Sequence, residues 1–295
     1  MSIFDISNCT LCPRLCGVDR RTHRGFCGEG QEMRVSKIML HRWEEPCISG
    51  NDPERGSGAV FFSGCSLRCV YCQNKDISRG GTGEIYTPEM LSEAMKNLCS
   101  KGAYNINFVT PTHFYHKIKE TLDIYRPDLP VVFNTSGYER AQTVAALSDY
   151  ADIFLTDFKY GTDELAKSYS NAGDYPALAL RALWKMIEVT GGPELSEDGM
   201  MKKGVIVRHL VLPGGRRDSV KALKLICDAV GAENVLLSLM SQYTPEFAPE
   251  DMKVLRRKTT TFEYEYVRDC ALEMGFSGFG QDRESATRAY TPDFI

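Results

Sequence analysis

Three cysteines follow directly on a short apolar strand, and this arrangement constrains the fold more than any other feature of the chain. The segment Ala59 to Ser63 is predicted to be a buried strand, and Cys65, Cys69 and Cys72 come next in a C-x3-C-x2-C loop. A compact loop of this length points three thiolates at one centre. The first strand must therefore end in a loop that is shaped to hold a metal site.

The spacing of these thiolates indicates an iron–sulfur cluster. A 4Fe–4S cluster is usually held by four cysteine thiolates. No fourth cysteine lies nearby in the sequence, so one iron would keep an open position, which is typical of a catalytic metal. The alternative is a structural zinc site completed by Cys47 or His113. We favour the cluster, because such zinc sites are usually built from two pairs of closely spaced ligands.

The composition of the chain indicates its cellular compartment and argues against some classes of binding partner. The chain has 295 residues, 11 of them cysteine, and its 35 basic and 39 acidic residues give a net charge of -4. No apolar stretch approaches the roughly 18 residues of a membrane span, and the N-terminus lacks the features of a signal peptide. We therefore predict a cytoplasmic protein, in a compartment where disulfides are disfavoured, with no nucleic acid and no membrane as partner.

A second group of cysteines lies near the start of the chain and comprises Cys9, Cys12, Cys16 and Cys27. Four thiolates at short spacing suit a tetrahedral zinc ion. They equally suit a fully ligated auxiliary 4Fe–4S cluster. The sequence leaves these two alternatives open, and unligated thiols are a third. Cys47 could join either cysteine group.

From residue 59 onward the chain alternates strands and helices, which indicates a parallel sheet. Six strands are predicted, at 59–63, 105–109, 131–134, 153–158, 205–212 and 235–240. An open doubly wound sheet and a full or partial barrel both fit this pattern. We divide the chain into a Cys-rich N-terminal extension and linker (1–58), a barrel (59–243) and a C-terminal extension that packs on the barrel (244–295).

Polar residues occur where the predicted strands end, which is where parallel sheets carry their functional groups. These residues are Thr110, Asn134, Asp157 and Lys159, together with Arg208 on the fifth strand. Each has a structural alternative. Asp157 and Lys159 could form a buried ion pair, Asn134 could cap the next helix, and Arg208 could face solvent.

The cysteine loop resembles that of the radical S-adenosylmethionine superfamily, with Tyr71 at its aromatic position. Gln73-Asn74 resembles a run in the branch that contains the pyruvate formate-lyase activating enzymes. Asp157-Phe158-Lys159 resembles that branch's Asp-x-Lys motif, and the segment 208–214 resembles its Arg-containing strand ending in Val-x-Pro-Gly. The resemblance covers about residues 58–242 and includes most of the chain.

The resemblance implies a partial (β/α)6 TIM-like barrel with a short Cys-rich N-terminal extension. The open iron of the 4Fe–4S cluster on Cys65, Cys69 and Cys72 would chelate S-adenosylmethionine. One electron would then break a carbon–sulfur bond, and the resulting 5′-deoxyadenosyl radical would take a hydrogen atom from a substrate. The implied cofactor contacts are Tyr71, Asn74, Thr110, Asn134, Asp157, Lys159 and Arg208.

The function implied by the resemblance is activation of a glycyl radical enzyme, the partner protein, with a flavodoxin- or ferredoxin-like electron donor. Modification of a small molecule or another peptide is an alternative, as is a noncatalytic zinc or iron–sulfur protein for electron transfer. The chain departs from the branch at two places. Thr110 to His113 replaces a Gly-Gly-Glu-type run that holds the methionine amine, and Ser241-Gln242-Tyr243 replaces a Pro-Tyr-His run.

Overall fold

A computed structural model describes residues 3–280, and most of their strands belong to one sheet. The strands are β1 (Met33–His41), β2 (Gly56–Phe62), β3 (Glu84–Tyr86), β4 (Ala103–Val109), β5 (Val131–Thr135), β6 (Ile153–Asp157), β7 (Glu194–Leu195), β8 (Met201–Leu210), β9 (Leu236–Met240) and β10 (Ser277–Gly280). They run in the order β10-β9-β8-β6-β5-β4-β2-β1-β3, and β7 pairs with β8 alone. The predicted α/β fold with a parallel sheet, a partial TIM-like barrel, is confirmed.

The helices that cover the sheet follow the predicted alternation. They are α1 (Pro46–Ser49), α2 (Lys75–Ser78), α3 (Pro88–Ser100), α4 (Tyr115–Ile124), α5 (Ala141–Ala145), α6 (Asp163–Ser170), α7 (Tyr175–Thr190), α8 (Arg216–Val230) and α9 (Thr261–Glu273). The hydroxyl of Thr87 accepts a hydrogen bond from the Met90 amide, and Pro88 occupies the first turn of α3. This cap explains why α3 begins there. Among residues 3–280, no helix is both long enough and apolar enough to cross a bilayer.

The alternation of side chains along the parallel strands separates the core from the site. Phe108, Phe133 and Phe154 are paired in register on neighbouring strands and lie in the main hydrophobic core, with ring centroids 5.7 Å and 6.0 Å apart. Their sequence neighbours point the opposite way, because successive residues of a strand face opposite sides of the sheet. Asn134 therefore faces the barrel interior, directly after the core residue Phe133.

Four strands were not predicted from the sequence, and these are β1, β3, β7 and β10. The strand β1 lies in the segment 1–58 that we assigned to the N-terminal extension and linker, and it pairs antiparallel with β2. Only three of its nine residues are buried, so its hydrophobic alternation is weak. The strands β3 and β10 are short edge strands, and β10 contains two glycines. Such segments lack the apolar pattern by which a strand is recognised.

Two element boundaries also differ from the prediction. The sequence also predicts a helix at 139–147 between two of the strands. The observed helix α5 is shorter, because Glu139 is fully buried and accepts a hydrogen bond from Thr112 before α5 begins. The strand expected from residue 205 begins at Met201, where β7 pairs with it antiparallel. The proposed division into three segments remains a prediction, and the part of 244–295 beyond residue 280 lies outside the described residues.

Candidate active site

Two adjoining cavities lie at the carboxyl ends of the parallel strands. One has a volume of about 220 Å³ and the other about 130 Å³. Five residues line both cavities with charged or amide groups, and these are Asn74, Asn134, Asp157, Lys159 and Arg208. The seven predicted cofactor contacts all line one or both cavities, as do the three cysteines that follow β2. The structure thus brings together residues that lie up to 143 positions apart in the sequence.

A strained backbone residue and hydrogen bonds to sulfur fix the shape of the cysteine loop. Arg68 has a left-handed backbone conformation with φ of 55°, which non-glycine residues rarely adopt. The amide of Leu67 donates to the sulfur of Cys65 at 3.4 Å, and the hydroxyl of Ser170 donates to the sulfur of Cys69 at 3.0 Å. Hydrogen bonds to sulfur are among the contacts that tune an iron–sulfur cluster.

The three thiols fit a cluster ligand set with one open position. Cys65, Cys69 and Cys72 line the smaller cavity, and no other cysteine among residues 3–280 does. Burial, together with the neighbouring Cys69 and Cys65 thiols, raises the pKa of Cys72 to about 12. The Cys72 thiol therefore needs the positive charge of a metal centre to ionise at neutral pH.

No group of three or more His, Cys, Asp or Glu within residues 3–280 is arranged around a metal ion. Each thiolate of a 4Fe–4S cluster binds a different iron. Its ligands therefore do not converge on a single ion, and the cavity beside the three thiols is the feature that suits a cluster.

Arg208 connects the charged residues of the site. Its guanidinium lies 3.2 Å from a carboxylate oxygen of Glu44 and 3.4 Å from one of Asp157, and it donates to the side-chain oxygen of Asn134. Lys159 donates to the other oxygen of Asp157 at 2.7 Å. Burial raises the pKa of Asp157, but Lys159 and Arg208 outweigh this effect and hold that pKa below its usual value. Asp157 is therefore an ionised acceptor at neutral pH.

The structure decides between some of the alternatives for these residues. Arg208 faces the cavities and not solvent, with 16% of its side chain exposed. Asn134 does not cap the next helix, since Arg140 occupies that position. Asp157 and Lys159 do form an ion pair, yet it lies in a cavity wall where a ligand can reach it.

Tyr71, Asn74 and Thr110 surround the cysteines. The hydroxyl of Tyr71 is 2.9 Å from that of Tyr160, which fixes the ring beside the loop. Asn74 precedes α2 without capping it through its side chain, and it lines both cavities. Thr110 has a left-handed φ of 58°, and its amide donates to the carbonyl of Asn134 at 2.9 Å. Thr110 thus lies at the carboxyl end of β4 and lines the same cavity as the three cysteines.

Glu44 is a residue of the site that the sequence analysis missed. One of its oxygens accepts from the side-chain amides of Asn107 and Asn134, both at 3.2 Å, and the other pairs with Arg208. Burial raises the pKa of Glu44. We assigned Glu44 to the linker because the residues that follow it are rich in proline and glycine.

Gly137 supports the end of β6. It has φ of +76°, and a Cβ placed on it would lie 2.0 Å from the Asp157 carbonyl oxygen and 2.8 Å from the Tyr175 hydroxyl. We expect Gly137→Ala to lower the free energy of unfolding by about 2–4 kcal/mol, through strain and overpacking, and to weaken binding of S-adenosylmethionine. Urea unfolding and calorimetric titration measure the two effects. Gly192→Ala is the matched control, because nothing lies within 4 Å of its Cβ; equal effects at both positions would contradict this account.

Glu139 makes the free energy of unfolding depend on pH. Burial raises the pKa of this carboxyl from 4.5 to about 8. Between these values the unfolded chain has lost a proton that the folded protein keeps, so the free energy of unfolding falls as pH rises. Glu139→Gln should remove this fall and raise the free energy of unfolding at pH 8 by on the order of 2–4 kcal/mol. Urea unfolding at pH 4.5 and pH 8 tests this. Glu93→Gln, with 76% of the side chain exposed, should leave the pH dependence unchanged.

The N-terminal cysteines lie against the catalytic loop. Cys9, Cys12 and Cys27 are buried and Cys16 is partly buried. The carbonyl of Cys27 accepts a hydrogen bond from the amide of Cys65 at 3.2 Å. Cys47 joins neither group, since it packs in a separate apolar cluster inside the barrel.

The chain is similar in sequence to a known protein family and to several known proteins. The model of the Radical SAM superfamily matches residues 59–214. An uncharacterized protein of Methanocaldococcus jannaschii is 30% identical over 275 residues, which cover 90% of this chain and 74% of that protein. The 7-carboxy-7-deazaguanine synthase of Methanothermobacter thermautotrophicus is 26% identical over 108 residues, which cover 36% of this chain and 44% of that enzyme.

One solved structure supports the fold alone. A radical SAM methyltransferase from Sphaerobacter thermophilus superimposes with a TM-score of 0.54 at 10% identity, over 78% of this chain and 67% of that chain. The family match favours a catalytic protein over the noncatalytic alternative. The chain belongs to the radical SAM superfamily, whose enzymes cleave S-adenosylmethionine at a 4Fe–4S cluster.

Proposed function

We propose that this radical SAM enzyme abstracts a hydrogen atom from a glycine of a partner protein, as glycyl-radical activating enzymes do. The observation that carries the proposal is the lining of the larger cavity, where the amide residues Gln73, Asn74 and Gln242 line the same cavity as Cys69 and Cys72. Amides are the donors and acceptors that match an extended peptide backbone. Trp43, 58% exposed, lines the same cavity, which is therefore accessible from outside.

The residues of the site have separate tasks in this proposal. When bound, the cluster and S-adenosylmethionine supply the radical that takes the hydrogen atom. Cys65, Cys69 and Cys72 hold the cluster, and Lys159 and Arg208 supply cations for the methionine carboxylate. Asp157 accepts from a ribose hydroxyl, while Asn134, Tyr71 and Asn74 position the cofactor. Thr110, through its hydroxyl or backbone, takes the place of the missing amine-binding run.

Deuterium transfer tests the proposal without knowledge of the partner. Cell protein labelled with deuterated glycine is incubated anaerobically with the enzyme, a reductant and S-adenosylmethionine. The proposal predicts deuterium in 5′-deoxyadenosine and backbone cleavage of one protein at a glycine on exposure to oxygen. Protein labelled with deuterated alanine is the control, and it should give no transfer. Equal transfer from both labels, or from neither, would rule out a glycyl substrate.

A small-molecule substrate is the second candidate. It is favoured by the relative named 7-carboxy-7-deazaguanine synthase, although the match covers only 36% of this chain. Separating the labelled extract by size distinguishes the two candidates. Transfer from the low-molecular-weight fraction alone would support the small molecule, whereas transfer from the protein fraction supports the partner protein.

The electron donor and the compartment are also proposals. A flavodoxin- or ferredoxin-like protein supplies the electron, and the enzyme acts in the cytoplasm with neither nucleic acid nor membrane as partner. The abundance of free thiols supports a reducing compartment, since all eleven cysteines are unpaired. Reduction of the cluster by a purified flavodoxin, followed by electron paramagnetic resonance (EPR), tests the donor.

A further inference from the structure

The four N-terminal cysteines are gathered by tight turns outside the catalytic cavity. The amide of Cys9 donates to the Val18 carbonyl, and the amide of Gly17 donates back to the Cys9 carbonyl, both at 3.0 Å. A Cβ placed on Gly25 would lie 3.5 Å from the sulfur of Cys27 and 3.7 Å from that of Cys16. Two loops that are separate in sequence therefore bring their thiols to one place.

The segment from Cys12 to Cys16 repeats the local geometry of the catalytic loop. Both segments have three residues between two cysteines. In each, the residue just before the second cysteine is left-handed although it is not glycine, with φ of 45° at Leu15 and 55° at Arg68. A non-glycine residue is held in this conformation only where the surrounding structure requires it.

Both cysteine groups contain a hydrogen bond from a backbone amide to a cysteine sulfur. In the catalytic loop, the amide two residues after Cys65 donates to its sulfur at 3.4 Å. In the N-terminal group, the amide of Phe26 donates to the sulfur of Cys16 at 3.3 Å. The catalytic loop is the one that holds a 4Fe–4S cluster. The similar backbone geometry between Cys12 and Cys16 therefore indicates that the N-terminal cysteines also bind a 4Fe–4S cluster.

The N-terminal site is joined directly to the catalytic loop. The hydrogen bond from the Cys65 amide to the Cys27 carbonyl links a ligand residue of one site to a cysteine of the other. Arg14, which lies between Cys12 and Cys16, donates to the Ser66 carbonyl at 2.8 Å and to the Leu67 carbonyl at 3.4 Å. Zinc has no redox chemistry, whereas a cluster in this position would be electronically linked to the catalytic one.

We propose that Cys9, Cys12, Cys16 and Cys27 bind an auxiliary 4Fe–4S cluster with a thiolate on every iron. Because no iron is left open, this cluster would not chelate S-adenosylmethionine. The proposal does not depend on the identity of the substrate.

Iron content and spectroscopy of the full chain test this proposal. After anaerobic reconstitution, wild type should hold about eight irons and eight sulfides, and the triple variant C65A/C69A/C72A about four of each. The reduced triple variant should give the EPR signal of a 4Fe–4S cluster that does not change when S-adenosylmethionine is added. C12A/C16A should hold about four irons, and its signal should respond to S-adenosylmethionine. The control C99A/C227A alters cysteines outside both groups and should match wild type.

The triple variant decides the question even where C12A/C16A fails to fold. A single zinc ion in the triple variant would overturn the proposal in favour of a structural zinc site. A folded triple variant, verified by circular dichroism, that takes up neither iron nor zinc would show that the N-terminal thiols bind no metal. A cluster signal in the triple variant that disappears on replacing Cys9, Cys12, Cys16 and Cys27 as well would support the assignment.

Discussion

Replacing Arg208 by leucine should lower the free energy of unfolding by about 3–5 kcal/mol, the usual cost of removing one partner from a buried ion pair. Arg208 lies within 3.4 Å of both Glu44 and Asp157, and its loss leaves these carboxylates without their shared cation. Lys159 still pairs with Asp157, but Glu44 keeps only the amides of Asn107 and Asn134. Binding of S-adenosylmethionine should weaken as well, because the site loses a cation for its carboxylate.

Urea unfolding and calorimetric titration measure the two effects of Arg208→Leu. Arg21→Leu is the matched control, since Arg21 also pairs with a carboxylate but has 57% of its side chain exposed. An exposed pair contributes only about 0–1 kcal/mol. If both variants lost less than about 1 kcal/mol, Arg208 would not be the centre of a buried charge network.

Replacing Cys72 by alanine should reduce the formation of 5′-deoxyadenosine to the rate seen without enzyme. The catalytic cluster would lose one of its three protein ligands, and the iron content should fall by about four per chain. Iron analysis and chromatography of the reaction products measure both effects. Cys47→Ala is the control, because Cys47 is buried but packs in another apolar cluster. Full activity in Cys72→Ala would show that the cavity beside Cys65 and Cys69 is not the reaction centre.

The residues at the strand ends were predictable from the sequence for a physical reason. The parallel strands are apolar and buried on both faces, so a polar residue at the end of one stands out. Asn134 and Asp157 were predicted in this way, whereas Arg208 was predicted from the family resemblance. Since parallel strands end at one edge of the sheet, the expectation that these residues meet there followed without knowledge of the contacts.

Glu44 could not be found in this way, because it reaches the site through antiparallel pairing of β1 with β2. That pairing leaves most residues of β1 only partly buried, so its hydrophobic alternation is weak and its sequence gives little sign of a strand. The metal group bound by the N-terminal cysteines could not be predicted from the sequence for a related reason. It depends on the left-handed backbone of Leu15, a residue type that disfavours this conformation, so no sequence rule indicates it.

Anaerobic incubation of reconstituted, dithionite-reduced protein with S-adenosylmethionine is the most direct test of the central claim, that Cys65, Cys69 and Cys72 hold a cluster which cleaves this cofactor. Wild type should form 5′-deoxyadenosine and methionine in equal amounts, and the variant C65A/C69A/C72A should form neither. Zinc in place of iron at this site, or a wild-type cluster that leaves S-adenosylmethionine intact with every reductant tried, would contradict the claim.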